Sequence, residues 1–174
     1  MRAFFLSVAV FFVLVAVVFS AVTLFAFPLK YKGTIRTASN AHNVDPVLVA
    51  SVIRAESNFK PGAVSAKGAV GLMQIMPSTG EFIAKKMGLA DYDLWDARTN
   101  IEMGTFYLRY LLDKFEDLKT ALIAYNAGEG NVQKWLSAAD IGGGGVKLAK
   151  CPYPETNAYV EKVLNGMNYY RLRF

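Results

Sequence analysis

Residues 45–59 read Asp-Pro-Val-Leu-Val-Ala-Ser-Val-Ile-Arg-Ala-Glu-Ser-Asn-Phe, and the fold class turns on this stretch. Asp45 is an N-cap and Pro46 takes the first helical position, where a missing N–H costs nothing, so a helix opens here and runs to about Ser57. Val49, Val52, Ile53 and Glu56 fall at i, i+3, i+4 and i+7 of that helix and share one face. Glu56 is the only polar group on it. An ionised carboxylate among hydrocarbon is costly, so the position should raise the pKa and keep the acid protonated near neutral pH. A protonated acid is what glycosidic cleavage asks of its general acid. The plainer reading is a last-turn glutamate paired with a base such as Arg54 or Lys60.

Outward from this helix, period-two strand patterns are almost absent. Helices are expected from near Ser78 to Gly88, from Thr99 or Asn100 onward through Leu108, Leu111 and Phe115, and from Asp117 to Gly128. A short one is expected around Trp135 with Asn131 as its cap, and a last one from Thr156 carrying Tyr159, Val160 and Val163. Gly142–Gly145 marks a loop without the Lys-Ser/Thr of a phosphate-binding loop, which argues against a nucleotide role. The expected domain is all-α.

Upstream, Phe4–Phe27 is an apolar run with no charge between Ala3 and Leu29. A helix rising about 1.5 Å per residue crosses a bilayer core in roughly 20 residues, so the run is long enough. It exceeds the roughly 7–15 apolar residues of a cleavable signal peptide, although the Ser20-Ala21 region offers a cut site. The expectation is a signal anchor over residues 1–29, a Pro28–Gly33 linker, and a domain over residues 30–174. Arg2 against Lys30, Lys32 and Arg36 puts the domain in the cytoplasm by the charge rule. The chemistry below requires the periplasmic, extracytoplasmic side of the cytoplasmic membrane, and that side is taken; cleavage would make the domain secreted.

A chain of 174 residues holds one such domain plus an appendage. One Cys excludes an internal disulfide, and one Cys with one His makes a zinc site very improbable. Beyond Leu29 the 18 Lys and Arg residues outnumber 14 acidic ones, but they are scattered and no nucleic-acid-binding motif appears. The mild excess favours anionic surroundings without choosing between nucleic acid, membrane surface and acidic polymer.

Four short motifs occur in order: Ala55-Glu56-Ser57-Asn58-Phe59, Gly68-Ala69-Val70-Gly71-Leu72-Met73-Gln74-Ile75-Met76-Pro77, Ala124-Tyr125-Asn126-Ala127-Gly128, and Glu155-Thr156 followed by Tyr159-Val160. Together they resemble the catalytic domain of the soluble lytic transglycosylases, relatives of goose-type lysozyme, over about residues 34–170. The resemblance implies a lysozyme-like helical domain with an active-site groove, acting on peptidoglycan glycan strands without a cofactor or metal. It assigns Glu56 as catalytic acid and base, and Ser65 as the contact for the sugar acetamido group. Met73, Gln74 and Met76 fall in its groove motif, Tyr125 and Asn126 beside the acid, and Glu155 and Tyr159 on the far wall. Cys151 and Asn157 depart from the family pattern, and the Gly142–Lys150 loop is long.

Each residue has a duller role available. Tyr125 could be core, Met73 and Met76 gap fillers, Glu155 a helix cap and Asn126-Ala127-Gly128 a helix end. Gln74 is harder to dismiss, because it stands alone in an apolar run and needs a partner if buried.

Most glycosidases need two carboxylates. Only Glu56 is well placed here, and the resemblance implies that it protonates the β-1,4 oxygen between N-acetylmuramic acid and N-acetylglucosamine. The acetamido oxygen then stabilises C1, and Glu56 takes the C6 hydroxyl proton as that oxygen closes a 1,6-anhydro ring. The alternatives are a lysozyme-type hydrolase using Asp91 or Asp93 with water, and a wall-binding protein without turnover. Candidate partners are the glycan strands, the membrane through the N-terminal helix and a larger cell-envelope assembly.

Overall fold

Pro46 at the first turn and Asp45 as cap do start a helix, and it becomes the centre of the molecule. The computed structural model describes residues 2–138, 147–148 and 151–174; the side chains of residues 2, 3, 6 and 19–26 lie outside that description. In order the helices are α1 (Arg2–Ala26), α2 (Lys32–His42), α3 (Pro46–Ser57), α4 (Pro77–Met87), α5 (Ala97–Phe115), α6 (Leu118–Ala127), α7 (Glu129–Ser137) and α8 (Pro154–Tyr170). Among the described residues there is no strand, only isolated bridges pairing Val70 with Val64 and with Ile75.

The Asp45 carboxylate accepts the Val47 N–H at 2.8 Å, while Asp96 and Asp117 cap α5 and α6 in the same way. α3 is buried on every side from Val47 to Ile53, more completely than a one-face stripe requires. It packs on α8 and α2, while α5 holds α2, α4 and α6.

The sequence reading passed over α2. It buries only Ile35, Ala38 and Ser39, and Tyr31 at its N-cap supplies no side-chain bond, so neither periodicity nor capping announces it. α5 begins at Ala97, before the expected Thr99, because Asp96 is the cap. Gly128, not Asn131, precedes α7, and α8 opens at Pro154, two residues before Thr156. The Gly142–Gly145 stretch lies outside the described residues.

Residues 58–76 connect α3 to α4 without helix and form one wall of the site. Asn100 on α5 holds this segment from inside the core. Its side chain accepts the Met73 N–H at 2.8 Å and donates to the carbonyls of Val70 at 3.0 Å and Leu94 at 2.8 Å. Gly71 makes room for it: at φ +81°, a Cβ there would lie 2.1 Å from the Asn100 amide nitrogen. Gly104 similarly lets α5 approach Met73, whose sulfur would meet a Cβ at 2.5 Å.

Residues just before the expected boundary at residue 29 touch the domain. Phe27 stacks on Tyr169 with centroids 3.8 Å apart, and Tyr170 donates to the Pro28 carbonyl at 2.7 Å. Phe27 and the start of the linker are therefore fastened to α8. The described side chains of α1, at 4–5 and 7–18, are all exposed. Among the described residues no helix is long and apolar enough to cross a membrane; the unbroken described run in α1, 7–18, is shorter than the roughly 20 residues such a crossing needs.

Candidate active site

Glu56 sits in the last turn of α3, partly covered by α8. Burial pushes its carboxyl up to about 7, against the opposing pull of the Tyr159 hydroxyl and the Lys162 ammonium. Desolvation therefore wins over two groups that favour the anion. Tyr159 is close enough to bias the carboxyl, yet its buried hydroxyl completes no hydrogen bond of normal geometry among the described residues.

Tyr125, from the end of α6, donates its hydroxyl to the Met73 carbonyl at 2.9 Å. Burial and the facing Glu56 carboxyl hold the phenol well above its ordinary pKa, so it stays a donor. The same is true of Tyr159.

Glu56 opens into a groove of about 540 Å³ lined also by Ser65, Gln74, Met76, Tyr125, Asn126 and Glu155. Seven of the nine residues singled out from the sequence thus converge on one surface, and Tyr159 stands behind it against Glu56. Met73 is the correction. Its side chain is fully buried in the core against Gly104, where α5 passes over the segment that Asn100 holds. Only its backbone serves the site, through the bond from Tyr125.

The groove wall is rigid for stated reasons. Gln74 adopts φ 50° and spends both amide protons on the carbonyls of Ala63 and Gly71, at 3.1 and 2.9 Å. That answers why an amide stands in an apolar run: it closes the loop, leaving its carbonyl side to the groove. Ser65 accepts the Ala69 N–H at 2.9 Å, shaping the turn before Ala69. Ser57, beside the acid, donates to the Leu72 carbonyl at 2.7 Å and so ties α3 to the same segment. On the far side, buried Thr156 donates to the Asn126 side chain at 2.8 Å, joining the ends of α6 and α8.

Sequence reasoning did not assign groove positions to Lys67, Asn131, Tyr153 or Thr156, all of which line the groove. The signal for Tyr153 was an aromatic residue between two prolines; it is exposed and meets Trp135 edge-on at 5.0 Å. Asn157 departs from the family pattern for a local reason. It donates to the Cys151 carbonyl at 2.7 Å and accepts the Cys151 N–H at 3.1 Å, knitting the turn that presents Tyr153. Asp91 and Asp93 do not line the groove; Asp93 accepts the Trp95 N–H instead. No group of three or more potential metal ligands occurs among the described residues.

Residues 33–143 match the transglycosylase SLT domain family. The chain belongs to that family. The SLT domain here is 36% identical over 152 residues to a soluble lytic murein transglycosylase of Salmonella typhimurium, covering 83% of this chain and 23% of that protein. Against a transglycosylase of enterobacteria phage PRD1 it is 42% identical over 107 residues, covering 62% of this chain and 38% of that one. The 70-kDa soluble lytic transglycosylase in complex with bulgecin A superposes with a TM-score of 0.72 at 34% identity, over 84% of this chain and 25% of that chain. The chain therefore spans about a quarter of the length of the soluble relatives it matches, and the SLT domain is the part they share.

Proposed function

We propose that this SLT domain is a lytic transglycosylase that cleaves the β-1,4 bond between N-acetylmuramic acid and N-acetylglucosamine in peptidoglycan. The observation that carries the reading is Glu56: a carboxyl with its proton held to about pH 7, facing a groove of about 540 Å³. It protonates the glycosidic oxygen as the bond to C1 breaks, and the sugar's own acetamido oxygen stabilises C1. The resulting carboxylate then takes the proton of the C6 hydroxyl, whose oxygen closes on C1. The proton balance is zero and no water is consumed, so the product is a 1,6-anhydro sugar. Tyr125 and Tyr159 stay protonated throughout; Tyr159 and Lys162 favour the carboxylate when it forms, while the Tyr125 hydroxyl is held on the Met73 carbonyl.

The second reading, hydrolysis, is favoured by one observation only. Glu155 also lines the groove, is exposed, and is the other carboxylate there among the described residues that could activate a water. The relatives' names favour the first reading.

The chain is anchored by α1 in the cytoplasmic membrane with the groove on the extracytoplasmic side, where the wall is. Supporting this are the uncharged run from residue 3 to 29 and the exposure of every described side chain of α1, at 4–5 and 7–18. The test is release of soluble glycan fragments from purified wall by the full chain and by its Glu56→Gln variant. Release by the parent alone supports the reading; equal release by both, or by neither, contradicts it.

A further inference from the structure

At the point where α1 meets the domain, two chain segments interlock. The Arg173 guanidinium donates to the Phe27 carbonyl, and the Lys32 ammonium donates back to the Arg173 carbonyl. Arg36 reaches the Phe174 carbonyl at 2.9 Å, and both Lys32 and Arg36 lie over the Phe174 ring. The Arg54 guanidinium covers the other ring at this junction, Phe27, at 3.8 Å.

The ionisable side chains of these two segments are one-signed. No Asp or Glu occurs in residues 27–44 or 162–174, while Lys30, Lys32, Arg36, Arg171 and Arg173 all do. Among the described residues none of these five cations pairs with an Asp or Glu. Between Arg171 and Arg173 stands Leu172, 91% exposed, and Tyr169 beside it is 43% exposed. An isolated cation patch would suit many polyanions. An apolar side chain thrust out between two arginines, next to a half-exposed tyrosine, matches the boundary of a bilayer, where aromatic rings and long basic side chains sit at headgroup depth.

We propose that this end of the domain lies on anionic phospholipid headgroups, docking the domain on the bilayer from which α1 emerges. The docking rests on the reading of α1 as an anchor for its placement, but its charge chemistry is separable from it. Each Lys or Arg near an anionic surface contributes enough to change occupancy about fivefold, and the effect is screened by salt.

The test uses the full chain with vesicles of phosphatidylcholine alone or mixed with phosphatidylglycerol. Pelleting is combined with acetylation rates of Lys30 and Lys32 against the remote Lys85 and Lys134. The expected result is pelleting with both vesicles and at least about fivefold slower labelling of Lys30 and Lys32 on the anionic ones, restored by high salt. Replacing Arg36→Glu together with Arg171→Glu should abolish the slowing. Pelleting with both vesicles but equal labelling on both overturns the docking and leaves the anchor standing. Pelleting only with the anionic vesicles, released by salt, upholds the docking and removes the anchor. Pelleting with neither overturns both.

Discussion

The Lys162 ammonium donates to the main-chain carbonyl of Ala55 at 2.7 Å, one residue before the acid. The contact fixes the last turn of α3 to α8 and brings a positive charge to bear on Glu56. That charge opposes the desolvation which raises the Glu56 pKa. Lys162→Met should therefore raise it further and move the basic limb of the pH–rate profile to higher pH, while Lys162→Arg leaves it nearly in place. The bond is solvent-accessible, so stability should fall by at most about 1 kcal/mol. A limb that moved to lower pH in the methionine variant would refute this electrostatic role.

Glu56 also links activity to stability. Its folded-state pKa, about 7, lies above the ordinary 4.5, so between those values the folded protein holds a proton that the unfolded chain releases. Stability from this group is fully present below about pH 4.5 and is lost as pH rises through about 7, a loss of up to about 3 kcal/mol. Glu56→Gln cannot titrate, so thermal unfolding at acidic and neutral pH should show a flatter dependence and equal or greater stability at neutral pH. A substituted protein markedly less stable at neutral pH would mean that the glutamate is a structural ion-pair partner.

Asn100 and Gly71 form one device. Asn100→Ala leaves the Met73 N–H and two carbonyls without partners in the core, which should cost about 2–4 kcal/mol. Gly71→Ala should be as harmful, since the added Cβ collides with the Asn100 side chain at a backbone angle that disfavours it. Denaturant unfolding checks both. Adding the second substitution to the first should cost less than the sum of the two, because they disable the same contact.

Much of the fold was legible because its punctuation is local. Asp45 and Asp117 are caps with a physical job, and both do it, while the cap of α5 is Asp96 and not the expected Thr99 or Asn100. α2 was not legible, since its few buried residues are satisfied by α3 and α5, which a local window cannot see. The groove residues Ser65, Gln74, Tyr125 and Asn126 came through the resemblance, and the structure adds why each holds its place. Met73 could not be separated from Met76 by sequence: both are soft apolar residues in one motif, and only the passage of α5 at Gly104 decides which is buried. Thr156 was read as a helix start, while its hydroxyl in fact braces Asn126.

The junction at Phe27 makes truncation informative. Removing residues 1–26 keeps the Phe27 ring between Arg54 and Tyr169, whereas removing 1–29 deletes that ring and the Pro28 carbonyl that Tyr170 uses. The shorter deletion should leave the domain soluble and active. The longer one should unfold at lower temperature, by the equivalent of about 2–4 kcal/mol for the lost aromatic burial and bond. Identical unfolding temperatures would show that the linker is not part of the fold.

The central claim is that Glu56 acts first as acid and then as base on the sugar itself, with no water in the reaction. Digestion of purified peptidoglycan by the full chain in water enriched in heavy oxygen, followed by mass spectrometry of the released fragments, measures this directly. Fragments ending in 1,6-anhydro-muramic acid, one water lighter than a hydrolysis product and free of the heavy oxygen, are the predicted result. Reducing muramic ends carrying the heavy oxygen would contradict the account and assign hydrolysis to this groove.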